Sequence, residues 1–114
     1  MSMDIFDSRA RSPGDLAGVF EYDGQTGYFY LYARGGDAGE RILDAIHVVS
    51  GGADFEGSDV SVRWDASEDK VGLFIRGALW AVFDTRQRQK HGGGYGAGIA
   101  PSLPPDLAKS FNVS

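Results

Sequence analysis

Phe20-Glu21-Tyr22-Asp23-Gly24-Gln25-Thr26-Gly27-Tyr28-Phe29-Tyr30-Leu31-Tyr32 reads as a strand, a turn and a second strand. Asp23-Gly24 suits the positive φ angles of a tight hairpin. Successive side chains of a strand point to opposite faces, so Tyr28, Tyr30 and Tyr32 share one face while Phe29, Leu31 and Ala33 share the other. The second set can enter an apolar core. The first presents a ladder of phenol rings, each with an apolar body and a polar tip. A hairpin with one core face and one aromatic face points to a small all-β domain.

Working outward, residues 1–15 are polar, contain Pro13-Gly14 and read as a loose lead-in. Residues 17–22 and 27–33 are the two strands just described, and the glycine-rich segment 34–40 is a polar loop. In Arg41-Ile42-Leu43-Asp44-Ala45-Ile46-His47-Val48-Val49 the apolar positions fit neither a helical nor a strand period. Its β-branched residues and the Gly51-Gly52 that follows favour a buried strand over a short helix. Residues 50–58 are a second loop. Val60, Val62 and Trp64 alternate with polar residues, and Ala66-Ser67-Glu68-Asp69 turns the chain. Val71, Leu73 and Ile75 form the next strand, Gly77 permits a tight turn, and Ala78 to Asp84 form another. From Thr85 the apolar pattern ends. A charged run, Arg86 to His91, precedes a Gly- and Pro-rich tail, with Pro105 to Phe111 read as one helical turn.

The domain therefore divides into a lead-in (1–15), a β domain (16–85) and a tail (86–114). The expected fold is a single antiparallel meander of about six strands, curled into a sandwich or a partly open barrel. Phe20, Phe29, Leu31, Ile46, Val62, Trp64, Leu73, Ile75, Ala81 and Phe83 are its expected core. The tail is expected to be weakly held, so that removing residues 86–114 costs about 1 kcal/mol or less. The competing expectation is that Tyr95, Ile99, Leu103 and Phe111 fold back onto a sheet face or edge.

A chain of 114 residues is one domain, large enough to bury roughly two thirds of its unfolded surface without staples. The absence of cysteine excludes disulfides, thiol catalysis and Cys-based zinc sites, and suits a reducing compartment. No apolar run approaches the ~20 residues of a membrane span, and the acidic start has no signal-peptide character. A cytoplasmic protein with no membrane partner is the expectation. Residues 1–84 carry 15 acidic against 7 basic residues, and residues 85–114 carry 4 basic against 1 acidic. Such an acidic body disfavours nucleic acid, whose phosphates need a basic face, and favours a basic protein partner. A homo-oligomer is compatible with all of this.

No motif supplies a complete catalytic set. His91-Gly92-Gly93-Gly94 resembles an oxyanion loop but has no nucleophile elbow to serve. Gly94-Tyr95-Gly96-Ala97-Gly98 has the wrong spacing for a dinucleotide loop and no strand leading into it. Asp65 to Asp69 alternates oxygens like a calcium loop but lacks its glycine and its distal glutamate, and reads as a hairpin turn. His47 and His91 lie in different elements without metal-ligand spacing. No metal or cofactor is expected. The preferred site is a binding surface of Glu21, Asp23, Tyr28, Tyr30 and Tyr32, because tyrosine suits interface hot spots. The alternative is a small-molecule or hydrolytic β-barrel pocket with Asp44 and His47 as acid and base. Strict strand alternation places those two on opposite faces, so this alternative requires a bulge or a helical segment.

Four segments and a tail dipeptide resemble a family of small bacterial proteins known as a domain of unknown function. The family's pattern is a Phe-Glu-Asp-Asp-Gly-Glu-Thr-Gly-Tyr-Phe-Tyr-type hairpin, an Ile-Leu-Asp-Ala-Leu-His-type strand, a Trp-Ser-x-Asp-type turn, a strand ending Ala-Val-Phe-Asp and a Gly-Tyr tail. These are similar to Phe20 to Leu31, Ile42 to His47, Trp64 to Asp69, Ala81 to Asp84 and Gly94-Tyr95. The chain departs from the pattern at Tyr22, where the family has an acid, and in its glycine-rich tail. The resemblance implies no activity or cofactor. Small bacterial domains of this kind are often suspected of being immunity proteins against delivered toxins. A non-enzymatic, immunity- or inhibitor-like protein-binding module is therefore the functional expectation.

Overall fold

The computed structural model describes residues 4–12, 14–34, 41–52, 54–96, 101, 103 and 105–111. Most of the 34–40 loop and Ile99 of the fold-back expectation lie outside them. Eight strands form two antiparallel four-stranded sheets, each a simple meander: β1 (Ile5–Ala10), β2 (Leu16–Tyr22), β3 (Thr26–Ala33) and β4 (Arg41–Ser50), then β5 (Val60–Trp64), β6 (Lys70–Ile75), β7 (Ala78–Asp84) and β8 (Gln89–Gly92). A 3-10 helix over Gly57–Asp59 precedes β5, and α1 (Pro105–Ser110) follows β8. The all-β expectation holds. The single six-stranded meander does not: the chain leaves the first sheet after β4 and begins a second, and neither sheet closes into a barrel.

The two sheets pack face to face. Phe20, Phe29, Leu31, Ile46 and Val48 of the first meet Val62, Val71, Leu73, Ile75, Ala81 and Phe83 of the second in one buried cluster. Phe29 and Phe83 touch across the layer at 5.1 Å between ring centroids. Every expected core residue lies in this cluster, although Trp64 is half-buried against it. Phe55 joins from the 51–59 loop, 1% exposed, with Tyr22 and Phe20 beside it. Gly18 faces inward, where an added Cβ would lie 2.6 Å from Val71 Cγ2. A glycine here lets the sheets approach closely.

The turns carry the backbone geometry their sequences imply. Asp23 Oδ1 accepts the Gln25 and Thr26 amides and closes the β2–β3 hairpin, with Gly24 at φ 93°. The β6–β7 turn has Arg76 and Gly77 both at positive φ, the requirement of a type I′ hairpin. Asp65, 6% exposed, accepts the Asp69 and Lys70 amides, so the β5–β6 turn is a carboxylate-capped hairpin.

Two strands fall where loops were expected. The lead-in contains β1, and the tail contains β8. The tail is also bound more firmly than expected. After β8 the Gly93 amide donates to Trp80 of β7, and the Tyr95 amide donates to Val48 of β4, so this segment joins the two sheets. The Tyr95 ring packs edge-on against Phe55 and Trp80. Leu103, Leu107 and Phe111 then cover Phe74, Leu79 and Val82 on the outer face of the second sheet. The fold-back expectation holds for Tyr95, Leu103 and Phe111, because the second sheet carries apolar residues on both faces and water cannot be their partner on either.

Residues 41–50 are a strand throughout. Its pairing with β3 shifts between Gly27/Tyr28 and between Leu31/Tyr32. These two bulges explain why neither period fits: they bury both Val48 and Val49 and leave Ile42 half exposed.

Candidate functional site

The second sheet's outer face is covered by α1 and the residues around it. The first sheet's outer face is open among the described residues. It is built by alternation: Phe6, Ser8 and Ala10 from β1, Ala17, Val19 and Glu21 from β2, the three tyrosines from β3, and Ala45 and His47 from β4. Register places Phe6, Glu21, Tyr28 and His47 in one row across the four strands, and Ser8, Val19, Tyr30 and Ala45 in the next.

The rings stack. His47 lies 4.9 Å from Tyr28 at 27°, Tyr28 lies 5.8 Å from Tyr30 at 19°, and Tyr32 meets Tyr30 edge-on at 6.0 Å. Two strand neighbours alone would leave the rings free to splay. The small Ala45 stands opposite Tyr30 and the flat imidazole of His47 opposite Tyr28, and on the other side of β3 Val19 and Ala17 are 7% and 5% exposed. Phe6 stands out from this surface at 67% exposure, across Glu21 from Tyr28 at 36%. It divides two grooves. One, of about 220 Å³, runs along Ser8, Ala10, Val19 and Tyr32. The other, of about 410 Å³, runs along Asp4, Glu21, Asp23, Tyr28 and Tyr30.

Acidic charge borders the second groove. Desolvation by its neighbours raises the Tyr30 phenol above its ordinary pKa, and nearby Glu21 adds to the effect. The Thr26 and Gln25 amides hold Asp23 below the usual carboxylate range, so it stays charged. The surface is thus apolar in the middle and negative at one rim.

The structure brings together Glu21, Tyr28, Tyr30 and Tyr32, with Asp23 at the edge of the same groove. It adds Phe6 and Asp4, which sequence reasoning missed, and His47, which the sequence had placed in the alternative pocket. Phe6 was hidden in a segment without apolar period. His47 is the across-strand neighbour of Tyr28, a relation visible only once the β4 bulges set the register. Asp44 and His47 are not brought together. Asp44 pairs with Leu31 and faces the inner side at the sandwich's end, while His47 lies on the outer face. A salt bridge from Lys90 Nζ, 2.9 Å away, holds the Asp44 carboxyl below its ordinary pKa. A carboxylate held charged by an ammonium group is poorly placed to accept a proton from a substrate. Among the described residues no group of acids and histidines could hold a metal ion, and no helix is long and apolar enough to cross a membrane.

Fold and surface define a small two-sheet β-sandwich with one aromatic, acid-rimmed face. Residues 3–94 match the profile of a family described as an uncharacterized protein conserved in bacteria (DUF2251), and the chain belongs to that family. The match ends at Gly94, before Tyr95 and the segment that covers the second sheet. No curated protein and no solved structure matches the chain significantly.

Proposed function

We propose that this protein is a non-enzymatic binding module that docks a basic protein partner on the outer face of its first sheet. The observation that carries this is the stacked row His47–Tyr28–Tyr30–Tyr32 with the exposed Phe6 beside it, on a sheet face the described chain leaves open. Rigid aromatic rings supply contact area with little ordering entropy to lose. The charge argues for the occupant: Asp4, Glu21 and Asp23 border the apolar area on a chain of net charge −5, so cationic side chains of a partner complete it. An acidic module of this kind in a bacterial family fits an inhibitor- or immunity-like role against a basic toxin domain.

The test is to isolate the partner from the native host, purify it and measure its Kd by calorimetry. Replacing Tyr28, Tyr30 and Tyr32 together by alanine is expected to weaken binding by about 100-fold or more. Glu21→Lys, which leaves the rings in place, is expected to slow association and weaken its salt dependence. A partner that binds both variants with unchanged Kd and rates removes this face from the interface. A toxin gene beside the gene for this protein supports the immunity reading specifically.

A further inference from the structure

A second concavity lies at the end of the sandwich where β4 and the β7–β8 turn separate. Its volume is about 450 Å³, within the ~300–1,000 Å³ range of small-molecule sites. Leu16, Leu31, Leu43 and Phe83 line it with apolar surface, and Phe83 and Leu31 belong to the buried core at 2% and 8% exposure. Arg41 and Arg88 stand at its mouth. The cleft therefore reaches from solvent to the core between two guanidinium groups.

The two carboxylates of the lining, Asp44 and Asp84, are engaged by groups other than these guanidiniums. Asp44 is taken by Lys90, whose Nζ also donates to the Ala45 carbonyl at 3.1 Å. Asp84, 6% exposed, accepts the amides of Arg86 and Gln87 and caps the β7–β8 turn. Arg86 is drawn away to Asp69. Among the described residues Arg41 and Arg88 have no carboxylate partner. Two guanidinium groups without a carboxylate partner thus line an apolar recess in a chain of net charge −5. Guanidinium binds carboxylate through two parallel N–H bonds, and the apolar wall behind it accepts a hydrocarbon body. The Lys90–Asp44 bridge ties β8 to β4 beside the cleft.

From this we propose that the cleft is a binding site for a small organic anion with an apolar body, a medium-chain or aromatic carboxylate. The carboxylate sits between Arg41 and Arg88, and the body lies against Leu31, Leu43 and Phe83. This site lies on the opposite face of β3 from the tyrosines and stands independently of the function proposed above.

The full-length protein is titrated with sodium octanoate and sodium benzoate, with octylammonium as the charge-reversed control. Octanoate or benzoate is expected to raise Tm saturably by at least about 4 °C at millimolar concentration. Amide NMR shifts are expected at Leu31, Leu43, Thr85 and Arg88 and not at Tyr28 or Tyr30. Arg41→Gln combined with Arg88→Asn is expected to weaken octanoate binding tenfold or more. Asparagine is chosen because Arg88 has φ 56°, a region asparagine tolerates. Absence of a saturable shift with both carboxylates overturns the proposal. So does an equal response to octylammonium, or binding that the double variant leaves intact.

Discussion

Gly18 sets how near the two sheets can come. An added methyl group would meet Val71 Cγ2 at 2.6 Å, Val62 Cγ1 at 3.1 Å and Phe29 Cε1 at 3.2 Å. All three are short or rigid side chains, the valines on the facing sheet and Phe29 on the neighbouring strand, so relief requires moving a strand. Gly18→Ala is expected to destabilise the protein by about 1–3 kcal/mol, against the usual gain from removing a glycine, as measured by urea unfolding. Electrostatics at this scale is weaker. Arg11 grips Asp15 with Nε and Nη2, each at 2.8 Å, which lowers the Asp15 pKa to about 2 from 3.8. A depressed carboxylate pKa adds stability above the unfolded value and loses it as pH falls through the folded one. The Asp15 side chain is 50% exposed, so solvent screens the pair. Asp15→Asn is expected to cost about 0.5 kcal/mol or less at pH 7, with the difference shrinking as pH falls below about 4 and gone only below about 2. Residue identities of this kind were legible in part. The aromatic and aliphatic core positions could be read from alternation. Trp64 could be placed in the core but not oriented: its ring rests on the cluster while Nε1 reaches out to the Arg9 carbonyl at 2.8 Å.

Among the elements, strands formed by apolar alternation were visible and strands formed by polar contacts were not. In β1 the inward residues after Ile5 include Asp7, whose carboxylate accepts the Val62 amide of β5 at 2.9 Å across the sandwich edge. An acid pointing inward reads as a loop until its partner, 55 residues away, is known. β8 has no apolar side chain, and backbone pairing to β7 alone makes it a strand. Its lysine also blunts the free edge. The Asp7 contact is testable. Asp7→Ala leaves the Val62 amide without its acceptor and is expected to cost about 1–3 kcal/mol. Asp7→Asn keeps an acceptor oxygen and is expected to recover most of that. Hydrogen exchange at the Val62 amide distinguishes them: it should quicken clearly in the alanine variant and little in the asparagine variant. Equal exchange in all three proteins removes Asp7 as the link between the sheets.

For the whole molecule, the all-β class was legible because almost every apolar segment is short and alternates. The division into two sheets was not, because a meander looks the same in sequence whether it stays in one layer or begins another. The candidate face followed the same rule: three tyrosines could be read from one strand, whereas Phe6, Asp4 and His47 joined them only through inter-strand register. The layer count has a consequence at the other outer face. Phe74, Leu79 and Val82 point away from the sandwich core, yet are 7%, 6% and 0% exposed because Leu103, Leu107 and Phe111 lie over them. Phe111 meets Phe74 edge-on at 5.4 Å and is itself 4% exposed. Gly72 leaves room for it, since a Cβ there would lie 3.0 Å from Phe111 Cζ. Deleting residues 96–114 keeps all eight strands, the Tyr95 anchor and the whole family-matched region, but bares this apolar face. The truncated protein is expected to melt at least about 8 °C lower, beyond what a loss of about 1 kcal/mol would give, and to bind a hydrophobic dye or self-associate. Phe111→Ala in the full chain is expected to reproduce much of the loss in Tm without removing the segment. A truncated form that stays monomeric and melts within about 3 °C of the full chain would show that the second sheet needs no cover and that α1 rests on it without stabilising it.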